Sequence, residues 1–127
     1  MKAYTSSPEL APNAELVLAK ACIRAAGMLG LSGAALAQVL GLSEASISRL
    51  MSGQRGINPS SKEGELAALL IRLFRSLDAL VGNDNHKRQL WFDTHNHALN
   101  GTPRQLIASA QGLVLTVAYL DGMRATL

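Results

Sequence analysis

Apolar positions recur at steps of three and four along most of the chain, interrupted by short polar or glycine-bearing stretches, which is the pattern of helices that bury one face. The run is clearest at Leu66, Leu69, Leu70, Leu73, Phe74, Leu77, Leu80 and Val81. It predicts a long helix ended by Gly82 and N-D-N, with Arg72, Arg75 and Asp78 elsewhere on its surface. Ahead of it, E-L-V-L-A-K-A-C-I-R-A-A-G-M-L-G predicts a helix stopping near Gly27 or Gly30. G-Q-R-G-I-N-P-S-S reads as a loop, from which Ser60 or Ser61 caps the long helix. Behind it, K-R-Q-L-W-F-D-T-H-N-H-A-L predicts a helix stopped by Asn100 and Gly101. Thr102 and Pro103 then open R-Q-L-I-A-S-A as a short helix closed by Gly112, and L-V-L-T-V-A-Y-L-D-G forms a last one ending near Gly122.

Composition sharpens this to an all-α fold. Ala and Leu abound, β-branched residues are sparse, and Tyr4, Phe74, Trp91, Phe92 and Tyr119 are the only aromatics. A hydrophobic content of 48% in 127 residues suffices for a folded core. Residues 1–13, with Ser6, Ser7, Pro8 and Pro12, read as a flexible lead-in, and the loop before Ser61 as the boundary between two lobes, 14–61 and 62–127.

The stretch L-S-G-A-A-L-A-Q-V-L-G-L-S-E-A-S-I-S-R-L-M-S-G, residues 31–53, fills every constrained position of a helix-turn-helix. Ala37 is small where the helices cross, Gly41 sits at the turn, Ser43 starts the second helix, and Ile47 and Leu50 face inward. Such a unit lays its second helix in the DNA major groove, so promoter DNA is an expected partner. The expected contact residues are Ser43, Glu44, Ala45, Ser46, Ser48, Arg49 and Ser52, with Gln54 and Arg55 in the following loop. Arg49 suits guanine, Glu44 the cytosine amino group, Ala45 a thymine methyl, and the hydroxyls phosphates. The competing interpretation is a helical hairpin with a solvated Ser-rich face. A net charge of +3 is compatible with a polyanionic partner, but five basic and three acidic residues before Lys62 and seven and six from there on leave no basic tail. One copy would bind weakly, so a homodimer or a larger assembly is expected.

The second half carries W-F-D-T-H-N-H-A-L-N-G-T-P-R-Q-L-I-A-S-A-Q-G, followed ten residues later by Gly122. Trp91, Asn96, Leu99, Gly101, Pro103, Gly112 and Gly122 reproduce the spacing of the toxin-binding domain of the Xre/MbcA/ParS antitoxin family, which this region resembles. Residues 15–61 resemble the Xre-type helix-turn-helix that often precedes it. His95 stands where that family usually has a proline, and Asn100 where a small residue is common. Taken on their own chemistry, Trp91 fills a helix junction, Asn96 bonds backbone at a helix end, and Gly101 supplies a positive φ.

The resemblance implies an antitoxin of a RES-domain toxin that consumes NAD, with autorepression of its operon and a hetero-oligomer with the toxin. It also implies that the C-terminal end, Asp121, Gly122, Met123, Arg124, Ala125, Thr126 and Leu127, covers the toxin's active site. A cleft built for a dinucleotide diphosphate offers cations and N–H donors that a terminal carboxylate would engage. The bland alternative is a frayed terminus. A stand-alone dimeric repressor and a toxin inhibitor without DNA binding remain open beside the antitoxin reading.

Other chemistry is weakly signalled. Cys22 lies alone in an apolar run and reads as a buried thiol, not a disulfide partner. His95 and His97, two apart on a predicted helix, point away from one another, so neither they nor His86, Asp84 and Asp93 predict a metal site. Asp93 and His97 are expected to form a surface pair. Arg72, Arg75, Lys87 and Arg88 are expected on wet helix faces, with a basic patch as the alternative. With no phosphate loop and no nucleophile constellation, neither enzymatic activity nor a cofactor is expected. Without a signal-peptide order or an apolar run long enough to span a bilayer, a cytoplasmic, non-membrane protein is expected.

Overall fold

Serine side chains set where several of the helices begin. Ser32, Ser43, Ser61 and Ser109 each sit in an extended conformation and accept a hydrogen bond from the backbone N–H three residues on, satisfying a donor that the first helical turn leaves free. Asp84 does the same for a fifth helix, and the Lys87 N–H it accepts holds its carboxyl below the usual range. The structure, a computed structural model, describes residues 6–126, with side chains from residue 14 onward. Among the described residues are seven helices and no strand: α1 Ser6–Met28, α2 Gly33–Leu40, α3 Glu44–Met51, α4 Lys62–Val81, α5 Asn85–Asp93, α6 Pro103–Leu106 and α7 Ala110–Ala125. The lead-in expected over residues 1–13 falls on positions whose side chains, and for 1–5 whose backbone, lie outside the described residues.

The long helix α4 is the spine. It packs against α7 and α1 along much of its length and also touches α2 and α5. Its Ala67, Leu70, Leu73 and Leu77 are buried, meeting Ala19, Cys22 and Ala26 of α1, Leu29 just past its end, and Leu113, Val117 and Leu120 of α7 in one continuous core. Glycine permits close approach at the start of α4: a Cβ on Gly64 would lie 2.1 Å from the Asn58 carbonyl oxygen.

Several helix ends depart from the sequence reading. The helix expected to run to Asn100 stops at Asp93. Asn96 instead closes a turn by accepting from the Leu99 N–H at 3.0 Å and pairing its own backbone with Gly101 in both directions. A short polar side chain that bonds local backbone competes with the helix. The positive φ expected of Gly101 belongs to Asn100, at 57°, a conformation asparagine tolerates. Gly112 does not close α6, which ends at Leu106. It lies in the first turn of α7, where a Cβ would stand 1.9 Å from the Leu106 carbonyl oxygen. Nor does Gly122 end the last helix. α7 runs through it to Ala125, the Met-Arg-Ala that follows being good helix formers. Trp91 is half-buried, stacked on Tyr119 with centroids 6.4 Å apart, and the ring that fills the junction is Phe92.

Arg88 is the most consequential correction. Expected on a wet face, it is 1% exposed. Its guanidinium donates to Asp78 at 2.9 and 3.2 Å and to Asn85 at 2.6 Å, approaches the Met28 carbonyl at 3.5 Å, and lies over the Phe74 ring. Replacing Arg88 by Ala should cost about 3 kcal/mol in urea unfolding, because Asp78 loses its partner and a cavity opens.

Cys22 is fully buried, and burial pushes its thiol from 9.0 up to about 12. Between those values the unfolded thiol ionises while the folded one keeps its proton, so the unfolded state binds fewer protons and stability falls as pH rises through that window. Urea midpoints measured below and above pH 9.0 should show a decline that is smaller in Cys22→Ala.

Candidate functional site

The helix-turn-helix forms as its residues require. Gly41 adopts φ 68° and its N–H closes α2 onto Ala37 and Gln38, after which Leu42 and Ser43 turn the chain into α3. Leu36, Ala37, Val39 and Leu40 of α2 and Ile47 and Leu50 of α3 are buried against each other and the rest of the core. That packing leaves Glu44, Ala45, Ser48, Arg49 and Ser52 exposed on the outer face of α3, with Gln54 exposed just beyond.

Not every expected contact residue is free. Ser46 is 8% exposed, and its hydroxyl accepts from Ser43 Oγ at 3.1 Å and from the Arg49 guanidinium at 3.2 Å. Ser43 Oγ is engaged as the cap of α3, and Ser52 Oγ donates to the Arg49 carbonyl. Arg55 is half-buried, bonded to the Gly56 carbonyl and 3.6 Å from Glu63. The groups left to meet a ligand directly are the Glu44 carboxylate, the Ala45 methyl, the Ser48 hydroxyl, the Gln54 amide and the remaining N–H groups of Arg49. The loop behind α3 is fixed from the other side, because the Ile57 N–H donates to the Glu15 carbonyl at 3.1 Å.

The C-terminal segment is likewise partly committed. Asp121 receives Arg72 at 2.7 Å and the Ser76 hydroxyl at 3.1 Å, and Arg124 donates to Ser76 Oγ at 3.2 Å. Gly122, Met123, Ala125 and Thr126 are exposed. Leu127 lies outside the described residues.

Between these two regions runs a set of bonds with no local sequence signal. The free carbonyls at and just past the C-terminus of α1 are taken by the second half of the chain: Met28 accepts from Gln89 at 2.9 Å, Leu29 from Arg104 at 3.2 Å and Gly30 from Arg104 at 3.0 Å. Arg104 also pairs with Asp93, in place of the expected Asp93 and His97 pair, and stacks 4.8 Å from the Phe92 centroid. These partners are about sixty to seventy-five positions apart, which no periodicity reveals. The imidazoles of His95 and His97 are exposed, sit in the turn and not on a helix, and meet edge-on 5.2 Å apart. Among the described residues no three His, Cys, Asp or Glu side chains converge on a metal-sized site, and no helix is long and apolar enough to cross a membrane.

A helix-turn-helix with an exposed second helix, joined through one shared spine to a helical lobe, defines a small protein of the helix-turn-helix class. The comparisons with known families narrow it. Residues 9–72 match the family model described as the antitoxin Xre-like helix-turn-helix domain, and residues 76–125 match the antitoxin Xre/MbcA/ParS C-terminal toxin-binding domain. The chain therefore belongs to the Xre/MbcA/ParS antitoxins: it is the antitoxin of a toxin–antitoxin pair, with a DNA-binding helix-turn-helix and a toxin-binding domain. A search of curated proteins finds no match. The two matched segments meet inside α4, between positions 72 and 76.

The motif glycines of the toxin-binding domain separate on substitution by alanine. Gly112→Ala should destabilise the protein by about 3 kcal/mol, because backbone must move. Gly122→Ala, with nothing within 4 Å of the added carbon, should stabilise it by about 0.5–1 kcal/mol. Thermal unfolding of the two variants, shifting in opposite directions, checks both.

Proposed function

We propose that this antitoxin neutralises a RES-domain toxin that consumes NAD, by laying its C-terminal segment over the toxin's active-site cleft, and that α3 reads the promoter of the operon encoding both. On this reading residues 14–61 carry the DNA function and 62–127 the toxin function. The assembly is a homodimer or a hetero-oligomer with the toxin, acting in the cytoplasm.

The observation that carries the reading is that one short chain holds both an exposed α3 face and a toxin-binding domain running to residue 125, where Gly122, Met123, Ala125 and Thr126 are open to a partner. The anchoring of Asp121 and Arg124 on α4 presents that segment as a preformed helical end, which lowers the ordering cost of inserting it into a cleft. The capping of α1 by Gln89 and Arg104 supports coupling of the two activities, because a toxin that displaces α5 or α6 also shifts the base of the helix-turn-helix.

A second reading, a toxin inhibitor whose helix-turn-helix has lost DNA affinity, draws on one observation. Ser46, Arg49 and Arg55, which would otherwise supply DNA contacts, are wholly or partly engaged within the chain.

Affinity capture of the tagged chain from its native cells should retain a RES-domain protein in stoichiometric amount. Removing residues 123–127 should abolish neutralisation of that toxin in cells while leaving DNA binding intact, and full protection by the shortened chain would remove the segment from the site. Arg49→Ala should weaken operator binding by about 1–3 kcal/mol in a gel-shift or fluorescence titration. An unchanged, weak affinity would favour the inhibitor without DNA binding.

A further inference from the structure

Beside the shared spine, α1 and α4 leave an open groove of about 620 Å³. Val17, Leu18 and Ala21 of α1 and Ala68 and Ile71 of α4 make its floor, and Val17 is 66% exposed. Past Ala21, Ile71 and Arg75 it continues into a second hollow of about 420 Å³ that reaches Met28. From Ala14 to Met28 the path is roughly 20 Å at 1.5 Å per residue, the length of about four helical turns.

The charge along this groove is one-sided. Lys20, Arg24, Arg72, Arg75 and Arg124 line it, five of the chain's 12 basic residues. The Asp78 that also lines it is held by Arg88, and among the described residues Lys20, Arg24 and Arg75 have no ion-pair partner. An apolar floor bordered by unpaired cations is complementary to an amphipathic helix with carboxylates flanking its apolar stripe. Phosphates of a DNA backbone would satisfy the cations and leave the floor uncovered. A second copy of this chain is a poor match, since of the three carboxylates on its most acidic described helix, α4, Glu63 and Asp78 are already paired with Arg55 and Arg88. Arg124 belongs both to the groove and to the C-terminal segment proposed to meet the toxin, so a partner on that segment continues naturally into the groove.

We propose that the α1–α4 groove receives an acidic amphipathic helix of the toxin, which would anchor the toxin across both halves of the antitoxin. This rests on the toxin–antitoxin reading above. The groove would hold the partner, and the C-terminal segment would block its chemistry.

The test measures affinity for the purified toxin encoded beside this chain, using the full-length antitoxin and the pairs R24E/R75E and R24Q/R75Q. Both arginines are exposed and lie outside α3 and the C-terminal segment, so thermal unfolding should be unchanged. The charge-reversed pair should weaken toxin binding by about 100-fold and the glutamine pair by about tenfold, with the wild type losing more affinity on added salt than either. The glutamine pair carries the test should the reversed pair fold poorly. Unchanged toxin affinity in a folded glutamine pair and a folded reversed pair overturns the groove and leaves the antitoxin reading standing. A loss of operator binding with toxin binding intact assigns the cations to DNA, and a wild-type dimer that the substitutions dissociate assigns the groove to a second copy; either overturns the proposal. A wild-type chain that binds no toxin removes the functional reading itself.

Discussion

A guanidinium sealed between three helices is the constraint on which the two halves of this antitoxin depend. Taking the Arg88 guanidinium out of water is costly unless each of its nitrogens finds a partner. It meets that condition by reaching Asp78 on α4, Asn85 at the start of its own helix and Met28 at the end of α1, and no buried side-chain nitrogen or oxygen among the described residues lacks a hydrogen bond. Because a planar fork satisfies only one arrangement of these acceptors, it fixes how α5 lies on α4. From that placement follow the burial of Phe92, the reach of Gln89 to Met28 and the stacking of Arg104. An apolar residue at position 88 would fill the space without choosing among orientations.

The parts of the fold legible in the sequence are those governed by local chemistry. The apolar stripe of α4, the glycine at the α2–α3 turn and the serines before α3 and α4 each act within a few residues, and each appears where its pattern points. The helix ends that moved have a different cause. Gly112 reads as a stop by composition, yet it is glycine because the Leu106 carbonyl leaves no room for a side chain, a steric fact that local propensity does not record. Asn100 reads as a departure from the family pattern and proves to hold the positive φ itself.

On the candidate surfaces the division is similar. Which residues of α3 face outward follows from the period of the helix, and Glu44, Ala45, Ser48 and Arg49 are exposed accordingly. That Ser46 turns inward to Ser43 and Arg49 depends on side-chain geometry within the cap. Arg88 and Arg104 look like any other surface arginines in the sequence. Their acceptors lie on α1, α4 and α5, and only the packed structure brings them together. The family resemblance is carried by spacing, and the buried members of that motif are Pro103 and Gly112.

The bonds from Gln89 and Arg104 to the carbonyls at and just past the end of α1 bear on how such antitoxins can diversify. Recombination that exchanged helix-turn-helix regions among relatives, cutting in the loop before Ser61, would join an α1 terminus to caps shaped for another chain. DNA specificity and toxin specificity are thus inherited less as separable cassettes than their order along the chain suggests. A viable exchange has to carry the end of α1 together with the α5 and α6 residues that close it, or re-evolve that seam before either half finds its new partner.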